Sequence, residues 1–493
     1  MNIIILAAGI GSRLRPLTHT KPKGMIRVNG IPIIEHQIKA YLNAGIPMSK
    51  ISIAVGYKSK FINDFINSNY PEINIITNKD YDNTNNMYSL HLCLSKLDED
   101  ITIVSNGDCV YDYEIIKEFI SSNLPNSVAC DKGSFTDENM KVIVENNKIL
   151  HISKQIEKEK AYGNSIDLYK IDKKSIPKLK SIISEILTKD LNLWSELALD
   201  QLFDFIDFYP FDIQQKNWME IDNYDDLYDA EKKFSKFSLK DKKALIFDLD
   251  GTIYLGNKPI QGTIDFIINH CDKYDIYYMT NNTSKNLRDY VDRLNKLNLN
   301  TSIEKIISPL LPLIDFLKTN KIFNIFLVGN ENLKKYLIEQ IPNITFTDDE
   351  RICQAVVCGY DTELTYEKLK NASLLLKNKN IKFIATHKDI VCPTEKGNIP
   401  DIGAMLKLLE LTVDRKPTSI FGKPNPVLLN KLLSKFTNNE MVIIGDRVYT
   451  DKLLANNANI DFILVLSGET KREDIEDLQI FPELILKDCS ELN

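Results

Sequence analysis

Apolar residues along the first eighty positions fall into short runs separated by amphipathic stretches. NIIILAA is followed in turn by IIEHQIKAYLNAG, KISIAVGY, FINDFINS and INIITN. The first, third and fifth are runs of strand length, while the second and fourth space their apolar residues as helices do. Strand, helix, strand, helix, strand predicts an α/β fold, a parallel sheet with crossover helices. Further on, IQQKNWMEIDNYDDLYDAEKKF predicts a strand and then a helix running from acidic to basic. The charged stretch KKFSKFSLKDKK (232–243) has neither apolar period nor glycine and predicts a linker. ALIFDLDGT, directly after it, opens a second α/β unit with a buried strand. NIFLVGN, AVVCGYD and KFIATH give further strand-then-helix signals. The expected division is a first domain at 1–235, a second at 236–311 with 413–493, and an inserted α/β domain at 312–412.

Bulk composition narrows the classes. A chain of 493 residues exceeds one ordinary core, and 43% hydrophobic with 26% charged residues is globular usage. A formal charge of −7 with few basic clusters argues against a nucleic-acid surface. Eight cysteines without a CxxC pair read as reduced thiols of a cytoplasmic protein, not as a zinc site or disulfide frame. No apolar run reaches the length of a membrane span, and IIILAAG reads as a buried strand rather than a signal peptide.

Two loops carry the chemistry. The first is LAAGIGSRLRPLTHTKPKG (6–24). It fails the dinucleotide fingerprint because Leu14 stands where the third glycine is required, and no GK[ST] makes it a Walker loop. What remains is Leu6, Ala8, Gly9 and Gly11 for close backbone approach, with Arg13, Arg15, Lys21 and Lys23 behind them. Backbone N–H groups in such a turn cradle phosphate oxygens, and four cations within eleven residues suit a triphosphate.

This loop resembles the signature of the nucleotidyltransferases that couple a nucleoside triphosphate to a phosphorylated alcohol or sugar. The resemblance implies Arg13 and Lys23 on the phosphates and Mg²⁺ on Asp108 of IVSNGDCVYD and Asp222 of WMEIDNYDDL. YDNTNNMYSLHLCLSKL (81–97), DENMKVIVENNKILHISKQI (137–156) and EKAYGNSIDLYKI (159–171) are similar to the phosphocholine and aminoethylphosphonate cytidylyltransferase branch. That narrower resemblance implies CTP as donor and Asn86, Tyr88, Tyr162 and Asn164 around the acceptor. The branch carries an acid after the glycine of AYG. Asn164 at that position shifts the expectation from a cationic acceptor toward glycerol phosphate or another polyol phosphate.

In the second loop, ALIFDLDGTIYLG, Asp248 and Asp250 stand two residues apart after an apolar strand, where a metal or a phosphoryl group gives both a purpose. DxDGT resembles the first motif of haloacid-dehalogenase-type phosphatases. YYMTNNTS with Thr280 and Asn281, GKPNP with Lys423, and VIIGDRVYTD with Asp446 and Asp451 follow in that family's order. The resemblance implies Asp248 as nucleophile and Asp250 as general acid and base, with Thr280 and Lys423 on the phosphoryl oxygens. Mg²⁺ is then expected on Asp248, the Asp250 carbonyl and Asp446, with Asn281 and Asp451 in support. CGYDTELTYEKL and IATHKDIVCPTEKGNIPDIGAM resemble the cap of the glycerol-phosphate and p-nitrophenyl-phosphate phosphatase subfamily, which selects the substrate. His387 stands where those relatives carry asparagine, with no ligand-spaced partner evident beside it.

The expected fold is a Rossmann-like nucleotidyltransferase domain followed by a Rossmann-like haloacid-dehalogenase core with an inserted α/β cap. The expected enzyme is bifunctional, a cytidylyltransferase joined to a Mg²⁺-dependent phosphatase, acting on small molecules to make a CDP-activated alcohol for a surface glycan or lipid. Whether it self-associates is open. Two alternatives stand: a sugar-1-phosphate uridylyl- or thymidylyltransferase, or a transferase regulated by an inactive phosphatase-like module.

Overall fold

A computed structural model describes residues 1–394 and 397–492. The chain divides into two units, Met1–Ser235 and Lys236–Asn493, and each is considered by itself.

The first unit is built on a nine-stranded sheet. Asn2–Ala7 lies at its centre, parallel to Ile51–Val55 on one side and to Thr102–Asn106 on the other. Side chains alternate across a strand, so Ile3 and Ile5 enter one core while Ile4 and Leu6 enter another. Both faces are therefore covered, which is why NIIILA is apolar throughout instead of alternating. The parallel expectation covers only part of the sheet. Beyond Thr102–Asn106 it continues antiparallel through Gly163–Ile171, which pairs with Ser127–Lys132 and Lys141–Glu145. The chain leaves Asn2–Ala7 toward one edge and returns on its other side. That leaves a crevice at the carboxyl ends of Asn2–Ala7 and Thr102–Asn106.

The second unit holds a six-stranded parallel sheet. Its order is Ile306–Ile307, Asp275–Met279, Ala244–Asp248, Met441–Gly445, Asp461–Val465 and Leu484–Leu486. Leu245 and Phe247 face one core, Ala244 and Ile246 the other. A separate five-stranded parallel sheet occupies the insert, running from Asn324–Val328 to Ser419–Ile420 in sequence. Its last strand lies beyond residue 412, so the insert ends later than the hydrophobic pattern indicates. Ser419–Ile420 is too short to show a period. Crossovers leave Ala244–Asp248 in opposite directions, which places the switch point of this sheet at Asp248. Among the described residues, no helix is long and apolar enough to cross a membrane.

Candidate active sites

In the first unit the glycine loop folds back over Lys23. Gly11 has φ +65°, and a Cβ there would stand 2.9 Å from the Cβ of Lys23. Thr18 pins the turn by donating its hydroxyl to the Gly11 carbonyl at 2.9 Å. Asp108 follows Gly107, whose missing side chain lets the loop approach Ala7; a Cβ would meet the Ala7 methyl at 2.7 Å. Asp222 reaches the same place through Trp218–Glu220, which pairs antiparallel with Cys109–Tyr111 and sets Glu220 opposite Cys109. The Ile221 amide then donates to the Asp108 carbonyl at 3.0 Å.

Lys23 donates from its ammonium to Asp108 at 2.8 Å and to Asp222 at 2.7 Å. Arg13 donates to Asp222 at 2.6 Å. Both cations expected on phosphates are thus held by the carboxylates expected to hold metal. Burial works against the Lys23 charge, but the two aspartates outweigh it and hold its pKa above the ordinary lysine value. Burial likewise opposes the Asp222 charge, and Lys23 with Arg13 wins, keeping that carboxyl below its usual range.

Glu220 is a third acid at this point, missed in the sequence. One oxygen from each of Asp108, Glu220 and Asp222 lies within 4.8 Å of the others. Burial, then Asp167, Asp108 and Asp222, push the Glu220 carboxyl up to about 10. Such a carboxyl keeps its proton unless a further cation arrives, and three carboxylate oxygens are the donor set a hard divalent ion takes.

A cavity of about 290 Å³ opens beside these groups, lined by Leu6, Ala8 and Gly9 at one end and by Asn86, Tyr81 and Trp194 elsewhere. Of the expected acceptor residues only Asn86 lines it. Tyr88 packs against His91 and Tyr162 lies under Lys132, while Asn164 is buried in its strand near Thr136. Six acids border the cavity, Asp108, Glu138, Asp167, Glu196, Glu220 and Asp222, with Arg13 and Lys154 among them. Asp167 has φ +56° where the register of Gly163–Ile171 shifts, a bulge that re-aims its side chain. The Tyr169 hydroxyl lies 2.9 Å from Asp167 and 3.2 Å from Glu196, one proton between two acids. Burial, then Glu196, lifts Asp167 to about 7, and burial raises Glu196 as well.

In the second unit Asp248 closes the central strand and accepts from the Lys423 ammonium at 2.5 Å. The same ammonium donates to Asp451 at 2.7 Å. Asp248, Asp446 and Asp451 bring one oxygen each within 4.8 Å of the others. Asp446 Oδ1 is buried with no hydrogen-bond partner among the described residues, and a Cβ at Gly251 or Gly468 would lie 2.3 or 2.0 Å from the other oxygen of Asp446. An orphaned carboxylate oxygen in a cradle kept open by two glycines fits a divalent cation. Asp451 lies in this cluster with both oxygens engaged, Oδ1 by the Lys423 ammonium at 2.7 Å and Oδ2 by the Arg447 amide at 3.2 Å. Burial, then the neighbouring Asp451 charge, raises Asp446 to about 7. Burial also raises Asp248 well above the carboxylate range, against the pull of Lys423.

Asp250, Thr280 and Asn281 line a small cavity with Asp248 and Lys423. Burial raises the Asp250 carboxyl, which keeps it a proton donor to higher pH than a solvated aspartate. Asn281 ties the Lys423 segment to the insert: it accepts from the Lys423 amide at 2.8 Å and donates to Asp389 at 3.0 Å. Asn282, Asp389, Cys392, Asp401 and Arg447 complete the lining, and sequence reasoning missed all five. His387 does have partners, since Asp389 and Asp401 each bring an oxygen within 4.8 Å of its ring nitrogens.

Two α/β units with acid–lysine clusters at the carboxyl ends of their central strands define a phosphoryl-transfer class of protein. Residues 2–136 match the nucleotidyl transferase family. Residues 245–340 match haloacid dehalogenase-like hydrolases and residues 420–492 the related HAD-hydrolase-like family. An acid sugar phosphatase of Staphylococcus saprophyticus is 32% identical over 259 residues, 52% of this chain and 98% of the relative. The acid sugar phosphatase of Staphylococcus epidermidis is 30% identical over 259 residues, 51% and 97% of the two chains. Among solved structures, 4-nitrophenylphosphatase from Thermotoga maritima is 35% identical over 52% of this chain and 97% of its own, with a TM-score of 0.48. The chain belongs to the haloacid dehalogenase-like hydrolases through its second half, and a nucleotidyltransferase domain is fused before it.

Proposed function

We propose that the first unit transfers CMP from CTP to a small phosphorylated alcohol, and that the second hydrolyses a phosphate monoester through an aspartyl-phosphate. The observation that carries the transferase reading is the Lys23–Asp108–Glu220–Asp222 cluster at the mouth of the cavity behind Gly9. An acceptor phosphate oxygen attacks the α-phosphorus of CTP in line, and the bond to pyrophosphate breaks. No protein nucleophile is required; alignment and charge neutralisation by Lys23 and Arg13 are. Mg²⁺ held by Asp108, Glu220 and Asp222 would supply the remaining neutralisation.

The acceptor proposed here differs from the polyol phosphate expected from Asn164. Asp167 and Glu196 beside Tyr81 support a cationic head group, whose charge would draw off their protons, while Arg13 and Lys154 on the same cavity are left for phosphate. Phosphocholine and phosphoethanolamine are therefore the leading acceptors, and a CDP-activated amino alcohol for a surface glycan or lipid is the leading product.

In the second unit, Asp248 attacks the substrate phosphorus and the ester P–O bond breaks. Asp250 protonates the departing alkoxide, then takes a proton from the water that attacks the aspartyl-phosphate. Lys423 and Thr280 hold the phosphoryl oxygens. Asp248, Asp446 and the Asp250 carbonyl, with Asp451 in support, would hold the Mg²⁺ that shields the nucleophile from the phosphate charge.

The test is pyrophosphate release from CTP, UTP, ATP and GTP with phosphocholine, phosphoethanolamine or glycerol 3-phosphate. The Asp248→Asn variant is used so that the acceptor is not dephosphorylated. Release confined to CTP with a cationic acceptor is expected, with loss in Asp222→Asn. Release with UTP or a sugar 1-phosphate instead would favour the uridylyl- or thymidylyltransferase reading. Inorganic phosphate release that survives Asp248→Asn would remove Asp248 from the second reaction.

A further inference from the structure

His387 is fully buried, on the loop that follows strand Lys382–Ala385 of the insert. Its Nε2 lies 3.2 Å from Asp401 Oδ1 and its Nδ1 lies 3.0 Å from the Thr386 hydroxyl. A carboxylate can only accept, so Nε2 carries the hydrogen and the imidazole donates to Asp401. The Ile402 amide donates to the same oxygen, because Asp401 caps helix Ile402–Val413. The loop is fixed to the phosphoryl-binding segment: the Gly422 amide donates to the Thr386 carbonyl at 2.6 Å, and a Cβ on Gly422 would meet the His387 Cβ at 2.6 Å. Asp401 is thus set at a defined place relative to Lys423, and it lines the same cavity as Asp248 and Asp250.

Asp389 is the other insert carboxylate there, and it is already engaged by Asn281 at 3.0 Å and faced by Arg447 at 3.9 Å. Both donors meet Asp389 at Oδ2, and together with the His387–Asp401 contact they form a hydrogen-bond frame. At its insert end the cavity presents Asp401 with Cys392, while Arg447, which also lines it, is faced by Asp389 and paired with Glu469 at 3.0 Å. A carboxylate there repels a second anionic group and accepts a hydrogen bond from a hydroxyl or ammonium.

We infer that Asp401, oriented by His387, selects phosphatase substrates whose leaving group donates a hydrogen bond and rejects those carrying a second negative charge. His387 acts through Asp401 and is a positioning residue. The inference rests on the phosphatase reading and names the substrate class of that site.

The experiment compares kcat/KM of the full chain on glycerol 3-phosphate, ethanolamine phosphate, n-propyl phosphate and 3-phosphoglycerate. p-Nitrophenyl phosphate serves as reference substrate. Wild type should favour the hydroxyl or ammonium ester over n-propyl phosphate by roughly 10- to 100-fold, the range of a hydrogen bond to a charged group. 3-Phosphoglycerate should be the poorest. Asp401→Asn keeps the size and the helix cap while removing the charge. It should relieve the rejection of 3-phosphoglycerate, and Asp401→Ser should collapse the preference over n-propyl phosphate. His387→Asn should raise KM for the donor-bearing esters with kcat nearly kept and leave n-propyl phosphate unaffected. A merely structural role would lower kcat on every substrate alike. Glycerol 3-phosphate and ethanolamine phosphate compared with each other separate a hydroxyl from an ammonium donor. Equal rates on n-propyl phosphate and glycerol 3-phosphate in wild type, or selectivity unchanged in both Asp401 variants, would overturn the inference. No hydrolysis of p-nitrophenyl phosphate would instead overturn the phosphatase reading beneath it.

Discussion

Replacing Lys23 by alanine perturbs charge balance and catalysis together, and the structure gives the size of the first effect. Each of its contacts, 2.8 Å to Asp108 and 2.7 Å to Asp222, has a gross Coulomb energy of about 6 kcal/mol at an effective dielectric constant of about 20. Most of that is offset by desolvation, and loss of one partner from a buried pair costs about 3–5 kcal/mol. The side chains here are 12, 26 and 14% exposed, so solvent screening lowers the figure to about 3 kcal/mol. In a domain of this size that is a fall in Tm of roughly 6–12 °C. The sign with pH follows from both partners. Asp222 sits below its unfolded pKa, so its share is lost as pH falls below about 4; Lys23 sits above its own, so its share persists until strongly alkaline pH. Between those limits the full effect is expected. Both tryptophans of the chain, Trp194 and Trp218, lie in the first unit, so tryptophan fluorescence follows its unfolding alone. In Lys23→Ala, Asp108, Glu220 and Asp222 lack their shared ammonium, and Mg²⁺ should raise its Tm more than that of wild type. Turnover with CTP should fall roughly 10²- to 10³-fold. A variant that melts with wild type and gains no more from Mg²⁺ would refute the charge-balance argument, and near-normal turnover would refute the catalytic one.

Glu220→Gln should raise the Mg²⁺ concentration for half-maximal pyrophosphate release by roughly 10-fold, read from a metal titration at saturating CTP; an unchanged midpoint removes Glu220 from the metal site. Asp167 has a folded pKa of about 7 against about 4 unfolded, so it subtracts stability progressively as pH rises from about 4 to 7 and by a constant amount above. Asp167→Asn should flatten that slope and stabilise the first unit at pH 8 by a few kcal/mol at most; parallel pH–Tm curves would contradict it. Asp250→Asn should lower hydrolysis of alkyl phosphates roughly 10²- to 10⁴-fold. The loss should be smaller for p-nitrophenyl phosphate, whose leaving group needs no proton, and an equal loss on both would assign Asp250 another role.

The parts of this architecture that could be read from the sequence are those where one periodicity acts alone. NIIILA and ALIFD are apolar on both faces because helices cover both, and their glycine or aspartate endings mark the switch points of two sheets. The antiparallel half of the first sheet was harder to see, since Gly163–Ile171 is buried over all nine residues and breaks register at Asp167. Glu220 was legible in principle: it stands two positions before Asp222 at the end of a strand, the same spacing that drew attention to Asp248 and Asp250. Tyr88, Tyr162 and Asn164 came from resemblance alone, and the cavity lining includes none of the three. Asp401 meets His387 across fourteen residues of loop and hairpin, a separation at which no local pattern speaks.

Each unit carries a lysine shared by two aspartates, Lys23 in one and Lys423 in the other. A resting enzyme built this way brings its own counter-ions. A chelated preparation should therefore be silent yet intact, and magnesium should restore both reactions at the speed of ion binding, without refolding. On the proposed roles of these clusters, metal supply should act on this chain as a reversible switch of chemistry and leave the amount of folded protein unchanged.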